Sequence, residues 1–238
     1  MESLGTILGV WAHPDDESYL MAGLMAEAVQ EGQRVALVTA TRGEEGSQDH
    51  NRWPPERMGE VRERELQDCL EILGVKEHHW LDYYDGTCDA VPHEEAVEKL
   101  GPIFEDVQPD SVLTFGPEGL TGHADHIAVS RWTTDAFERY AKSGAGLYYS
   151  MHSIEWHAKW GPIFDEHNVF APGTPPTAPR ARLEISFMID GDLAETKLRA
   201  ISAQVSQVEQ LHAALGRDGL QALNEESFRL ASRKYETA

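Results

Sequence analysis

The chain has 238 residues, with 20 Lys and Arg against 41 Asp and Glu, for a formal net charge of −21. Hydrophobic residues make up 41% and charged residues 26%, the usage of a folded globular protein, which excludes a disordered or fibrous chain. So acidic a surface repels phosphate backbones and anionic lipid heads, so no nucleic-acid partner and no membrane insertion is expected.

The N-terminus, Met1-Glu2-Ser3-Leu4-Gly5, lacks the basic start and apolar stretch of an export signal. Residues 7–12 (ILGVWA) are an apolar run ending at a polar cluster, and read as a buried strand. Helix formers over residues 18–30 end at Gly32, a C-terminal stop. Residues 34–41 (RVALVTAT) predict a second buried strand, completing a strand–helix–strand crossover. Residues 41–55 carry Gly43, Gly46, Pro54 and Pro55 and read as a long loop. A helix follows over residues 56–73, a strand over 78–83, and a helix over 94–107 that Pro102 should disturb. Residues 111–115 (SVLTF) are a fourth strand, 116–122 a Gly/Pro loop, and 123–142 a helix. Beyond that, 147–152, 183–189 and 226–232 are strand candidates, 168–179 is a Pro-rich excursion, and 195–215 is one helix. No apolar run approaches the roughly 20 residues that span a bilayer. Cys69 and Cys88 make no disulfide framework, so reduced thiols in a cytoplasmic protein are expected. The length suits one domain over residues 1–238. Alternating strands and helices predict an α/β layered fold with a mostly parallel sheet, whose sites gather at the carboxyl ends of strands.

Two segments at such ends concentrate chemistry. Ala12-His13-Pro14-Asp15-Asp16-Glu17 follows the first strand, and Gly122-His123-Ala124-Asp125-His126 follows the fourth and its loop. Imidazole and carboxylate are the usual zinc ligands where thiolates are not used. His13 and Asp16 stand three apart across a strand-to-helix turn, where Pro14 suits an early helical position. That spacing aims both side chains at one point. Asp15 then points elsewhere beside the same centre, as a group that supports a ligand from behind or one that transfers a proton should. His123 and His126, three apart on a first helical turn, share a face, and Asp125 is placed to hydrogen-bond an imidazole and fix its tautomer. Three protein ligands with one open position define a catalytic zinc site.

Each piece alone has an ordinary explanation. His-x-x-Asp is common, the two histidines suit a solvated helix start, and Asp15-Asp16 suits a helix N-terminus. Their occurrence at two strand ends favours a shared metal site. His78-His79 reads as a surface or edge pair. His152 and His157, flanking Glu155 and Trp156, read as a minor polar cluster. Gly43-Glu44-Glu45-Gly46 is no phosphate loop, because it places two acids where donors are needed. Trp53, Tyr83, Tyr84 and Trp156 are candidates for stacking on a substrate ring, though rim packing is the plainer reading of each.

These segments resemble the signature of the PIG-L/LmbE-like zinc-dependent N-acetylglucosaminyl deacetylases. Ala12 to Glu17 and Gly122 to His126 match its two metal motifs. Thr41-Arg42-Gly43-Glu44-Glu45-Gly46, the helix Arg62-Glu63-Arg64-Glu65-Leu66 running to Leu73-Gly74-Val75, and the stretch from Lys197 to Gln207 resemble its supporting segments. The resemblance implies a Rossmann-like three-layer α/β fold and removal of an N-acetyl group from a small amino-sugar substrate. It implies zinc, or another divalent metal, on His13, Asp16 and His126, with Asp15 as general base. It implies His123, supported by Asp125, facing the oxyanion or the leaving amine, and Arg62 and Asp85 contacting the sugar. Gln204 departs from the pattern, standing where the family often has His. An amidase acting on another small N-acyl compound uses the same residues and stays open as an alternative, as does a homo-oligomer. A non-catalytic Rossmann-like binding protein fits less well, since no Gly-x-Gly-x-x-Gly cradle follows the first strand.

Overall fold

A computed structural model describes residues 3–235 apart from 168, 172 and 174. In chain order its strands and helices are β1 (Ile7–Trp11), α1 (Asp16–Gln30), β2 (Val35–Thr41), α2 (Met58–Leu73), β3 (Glu77–Tyr83), α3 (His93–Val107), β4 (Ser111–Phe115), α4 (Gly119–Gly122), α5 (Ala124–Tyr140), β5 (Gly146–Ser150), β6 (His152–Ser153), α6 (Ile154–Glu166), β7 (Thr177–Ala178), β8 (Ile185–Met188), α7 (Gly191–Ser202), α8 (Val205–Gly219) and β9 (Glu225–Arg233).

Seven strands form one sheet in the order β3-β2-β1-β4-β5-β9-β8. The first five run parallel, and β9 and β8 add an antiparallel edge. All residues of β1, β2, β4 and β5 are buried. This is why these strands read as unbroken apolar runs rather than as alternation: helices cover both faces of a parallel sheet. Strand β3 stands at the edge and mixes polar with apolar residues, and there His78 bonds Thr39 and His79 contacts Glu77. The chain steps outward from β1 to β2 and β3, then returns to lay β4 on the other side of β1. The carboxyl ends of β1 and β4 therefore flank the point where strand order reverses, the usual crevice for a ligand in such sheets.

The structure departs from the sequence reading in three places. Helix α3 runs through Pro102. The segment 154–166 is a full helix, α6, capped by Ser153, whose Oγ accepts from the Trp156 N–H at 2.9 Å. The expected helix over 195–215 is two helices, α7 and α8, with Gln204 at the break. The Pro-rich stretch is irregular except for the two residues of β7, while positions 168, 172 and 174 lie outside the described residues. Cys69 and Cys88 are free and buried. Among the described residues no helix is long and apolar enough to cross a membrane.

Candidate metal centre

After β1 the chain turns sharply to enter α1. Asp15 takes φ of +122°, a backbone region that non-glycine residues rarely adopt and that costs about 1–3 kcal/mol. The turn is held on several sides. The Asp15 carbonyl accepts from the Ser18 and Tyr19 N–H groups, and the Asp15 N–H donates to the Glu17 carboxylate. Asp16 folds back so that its Oδ2 accepts from the main-chain N–H groups of His13 and Ala12, at 2.8 and 3.2 Å.

After β4, α4 and the first turn of α5 present His126 to the same place. His13 Nδ1 lies 3.2 Å from His126 Nε2, His126 Nε2 lies 3.4 Å from Asp16 Oδ1, and His13 Nδ1 lies 3.8 Å from Asp16 Oδ2. A tetrahedral site with zinc–ligand bonds of about 2.0–2.2 Å has ligand atoms about 3.3–3.6 Å apart. The His126–Asp16 distance falls in that range and the His13–His126 distance just below it, while the longer contact from His13 is to the other Asp16 oxygen.

The outer hydrogen bonds settle where the ring protons sit. His126 Nδ1 faces the Gly119 carbonyl at 3.0 Å, which can only accept, so this nitrogen carries the proton and Nε2 offers a lone pair. Thr121 Oγ1 lies 3.1 Å from the same Nδ1. His13 Nε2 faces the carboxylates of Asp85 at 3.0 Å and Asp125 at 3.3 Å, so it donates, and Nδ1 is left toward His126. With both rings neutral, two lone pairs oppose each other beside a carboxylate; a metal ion between them, or a second proton on His13, relieves this. Burial works to lower the His13 pKa, but hydrogen bonds to Asp125 and Asp85 outweigh it and push it up to about 10. His126 is held well below its ordinary value by burial and then by the positive charges of His13 and His123. Two imidazoles and one carboxylate are a donor set that could hold a divalent cation here, and one that suits zinc better than magnesium or calcium.

The spacing places Asp125 to bond an imidazole, and the resemblance implies that this is His123; the carboxylate meets His13 instead. The Asp125 carboxylate bonds His13 and also accepts from the Gly86 and Cys88 N–H groups, at 2.7 and 3.0 Å. Only its main-chain N–H reaches His123, donating to Nδ1 at 3.2 Å. That bond leaves the proton of the neutral His123 ring on Nε2. His123 is exposed, with its ring centroid 4.8 Å from that of His13 and 5.2 Å from that of His126. Asp85 accepts from the Glu45 N–H as well as from His13. Burial tends to raise its pKa, but the His13 bond takes it down to about 2. His13 also belongs to two further trios whose donor atoms lie within 4.8 Å of one another, one with His123 and His126 and one with Asp85 and Asp125. The second needs the nitrogen that already donates, so the first ring edge is the better metal face.

Asp15 is not part of the trio. Burial pushes its carboxyl up to about 6; the Arg62 charge opposes this and the neighbouring Asp16 adds to it. Arg62 Nη2 donates to Asp15 Oδ2 at 3.1 Å and to the Pro14 carbonyl, and Nη1 donates to the Gly43 carbonyl. Arg62 is only 4% exposed. It stands against Asp15, whereas the resemblance implies a contact with the sugar. Its guanidinium also explains Gly43, where an added Cβ would meet Nη1 at 2.0 Å.

Sequence reasoning gave no role to Glu17 and left that of Gln204 open. Gln204 Nε2 donates to the Glu17 carboxylate at 2.8 Å, and its Oε1 accepts from Ser18 Oγ at 2.7 Å. The amide thus fixes the start of α1, and the helix break at residue 204 delivers it there. Of the candidate stacking residues, Trp53 lies under Arg52, Tyr83 packs on Trp132, and Trp156 is buried. Tyr84 is exposed, with its hydroxyl donating to Glu45.

Fold and site together define a Rossmann-like α/β protein with a buried His/Asp cluster at the switch point of its sheet. The chain belongs to the PIG-L family: residues 8–137 match the family model described as GlcNAc-PI de-N-acetylase. A protein of Saccharomonospora viridis named 1D-myo-inositol 2-acetamido-2-deoxy-alpha-D-glucopyranoside deacetylase is 34% identical over 171 residues. That match covers 63% of this chain and 63% of the relative, so the chain spans under two thirds of the relative's length. A protein of the same name from Streptomyces avermitilis is 29% identical over 243 residues, covering 85% of this chain and 83% of the other. The fold is shared with an N,N'-diacetylchitobiose deacetylase from Pyrococcus horikoshii, with a TM-score of 0.69 and 21% identity, over 94% of this chain and 83% of that one.

Proposed function

We propose that the protein is a zinc-dependent amide hydrolase that removes the N-acetyl group from a substrate containing N-acetylglucosamine, working as one LmbE-like domain over residues 1–238. The single observation that carries this reading is the opposed pair His13 Nδ1 and His126 Nε2, 3.2 Å apart, with Asp16 beside them and Asp15 held next to them. The names of the relatives supply the substrate class.

His13, Asp16 and His126 hold the ion. When bound, it supplies Lewis acidity toward the amide carbonyl and makes a water acidic near neutral pH. Amide resonance makes the carbonyl unreactive and the amine a poor leaving group, so the protein's own groups have two tasks. Asp15 takes a proton from the attacking water at a carboxylate oxygen that Arg62 keeps in place. His123, with its proton on Nε2, donates to the carbonyl oxygen as charge develops there; one such donor is worth about 3 kcal/mol. The C–N bond then breaks, and the amine leaves with a proton handed on by Asp15 or His123. Asp85 and Asp125 hold the His13 ring through Nε2 so that Nδ1 stays aimed at the ion.

The test is a panel of N-acetylglucosaminides with different aglycones, assayed for acetate and free amine with zinc-loaded protein. Equimolar release of both from at least one member is the expected result. No release from any member by protein carrying one zinc per chain would sink the reading.

A further inference from the structure

A cavity of about 150 Å³ adjoins the metal centre and shares Asp16 and His126 with it. Its far wall belongs to a second apolar cluster, separate from the main core, that α6, α8 and the segment around Phe170 build. Trp156, Phe164 and Phe170 line it, with ring centroids 5.1 to 6.3 Å apart. The cavity lies on the Nδ1 edge of His13, where His126 stands. Asp85 lies on the opposite, Nε2 edge and does not line it. The polar groups around Asp85 and Arg62 and this apolar chamber thus flank the centre on two sides.

The chamber's walls decide what fits. A sugar ring carries several hydroxyls, each needing a partner once buried. Of the described polar residues lining the cavity, Asp16, Thr121, His126, Glu225, Glu226 and Ser227 already have protein partners, which leaves the Tyr19 and Ser150 hydroxyls and the His152 ring, fewer polar groups than a buried sugar ring needs. A cavity of 150 Å³ with such walls takes about one benzene ring, or roughly six carbons.

Resting on the function proposed above, we infer that this cavity is a substrate subsite for an apolar group of about six carbons joined close to the scissile amide. The group is either the tail of an N-acyl chain longer than acetyl or a hydrophobic aglycone. Both present the same hydrocarbon to Trp156, Phe164 and Phe170.

Three compounds separate the two sources: the methyl glycoside of N-acetylglucosamine, the hexyl glycoside of N-acetylglucosamine, and the methyl glycoside of N-hexanoylglucosamine. One of the two hexyl-bearing compounds should show at least tenfold higher kcat/KM than the methyl N-acetyl reference, and which one it is names the source. Ala222→Leu, which adds bulk inside the cavity, should abolish that preference and leave turnover of the reference compound unchanged. Leu211→Trp, at a half-buried wall position, does the same if Ala222→Leu fails to fold. Equal kcat/KM for all three compounds, or a preference that survives both substitutions, overturns the inference. If none of the three is hydrolysed, the reading of function fails on its own account, and calorimetric binding of the same compounds judges the cavity. Tenfold tighter binding of a hexyl compound that Ala222→Leu removes supports the subsite, and equal binding rejects it.

Discussion

His13 Nδ1 and His126 Nε2 meet at 3.2 Å, and each presents a lone pair because its other ring nitrogen is committed, to Asp85 and Asp125 in one case and to the Gly119 carbonyl in the other. With both rings neutral such a pair is unfavourable, and a metal ion, or the second proton that His13 readily takes up, relieves it. In the proposed site, replacing His126 by Ala removes one ligand of three. The purified variant should carry less than about a tenth of the wild-type metal after dialysis, a loss of more than 1.4 kcal/mol in metal affinity. Elemental analysis reads this directly, and full metal content in a folded variant would remove His126 from the site.

The carboxylate of Asp125 is shared among His13, Gly86 and Cys88 and is fully buried. Asp125→Asn keeps the size and loses the charge that holds the His13 proton on Nε2. Changing such an outer partner typically costs about 10–100-fold in metal affinity. Competition with a chelator should show a loss in that range. An unchanged affinity would mean that Asp85 alone orients His13.

Asp15 and Arg62 give contrasting expectations. Asp15→Asn should keep the metal and lose about 10²–10⁴ in kcat, the range for a positioned acid–base group. Arg62→Gln should also lower kcat, by about 10–100-fold, because Asp15 loses its anchor and small misplacements are costly. KM should stay within about twofold. A sugar-contacting arginine would show the reverse, a raised KM with kcat kept, so steady-state kinetics of the two variants decides between the buried placement and the role the resemblance implied.

Much of this arrangement is legible in the sequence, and the rest has physical reasons to be hidden. The strands β1, β2 and β4 announce themselves because parallel strands covered on both sides are apolar throughout. The spacing of His13 with Asp16 and of His123 with His126 shows which side chains share a turn. It does not show which partner each meets from a segment over a hundred residues away, so the spacing leaves open which imidazole Asp125 bonds, and that imidazole is His13. The contacts of Arg62 are hidden because a helix pattern marks a face and not what lies against it. Helix α6 was concealed by Gly161 and Pro162 inside it, although Ser153 ahead of an apolar run was a capping signal. The break at Gln204 has no breaker residue at all; its cause is tertiary, in the bonds to Glu17 and Ser18.

Acid sensitivity should come in part from His78. Its Nε2 lies 2.9 Å from Thr39 Oγ1, and burial, with the nearby charges of His79 and Arg42, takes its pKa down to about 4. A depressed histidine is neutral in the fold while the unfolded chain binds a proton below 6.5. Its contribution is therefore complete above pH 6.5 and is lost as pH falls toward 4. Between pH 7 and 5 the loss amounts to about 2 kcal/mol, or about 4–8 °C in Tm for a chain of this size. His78→Gln should shrink the fall in Tm over that interval by this amount in scanning calorimetry. An identical fall in both proteins would show that His78 titrates normally.

Lys197 and Glu226 form a fully buried ion pair, with Nζ 2.6 Å from Oε1 and exposures of 1% and 0%. Glu226 also accepts from the Gly23 and Leu24 N–H groups, both at 2.8 Å, and Lys197 donates to the Tyr19 carbonyl at 2.7 Å. The pair thereby joins α1, α7 and β9 behind the turn that carries Asp15 and Asp16. Burial lowers the Lys197 pKa, and Glu226 opposes this. Lys197→Met leaves a carboxylate in the interior without its counter-charge, which costs about 3–5 kcal/mol when one member of such a pair is removed. Lys197→Met combined with Glu226→Gln removes the buried charge while retaining an oxygen acceptor for α1, and should recover more than half of the loss. Urea unfolding of both proteins measures the two steps. A single variant within 1 kcal/mol of wild type, or a double variant no better than the single, would show that the three elements are held together by apolar packing and not by this pair.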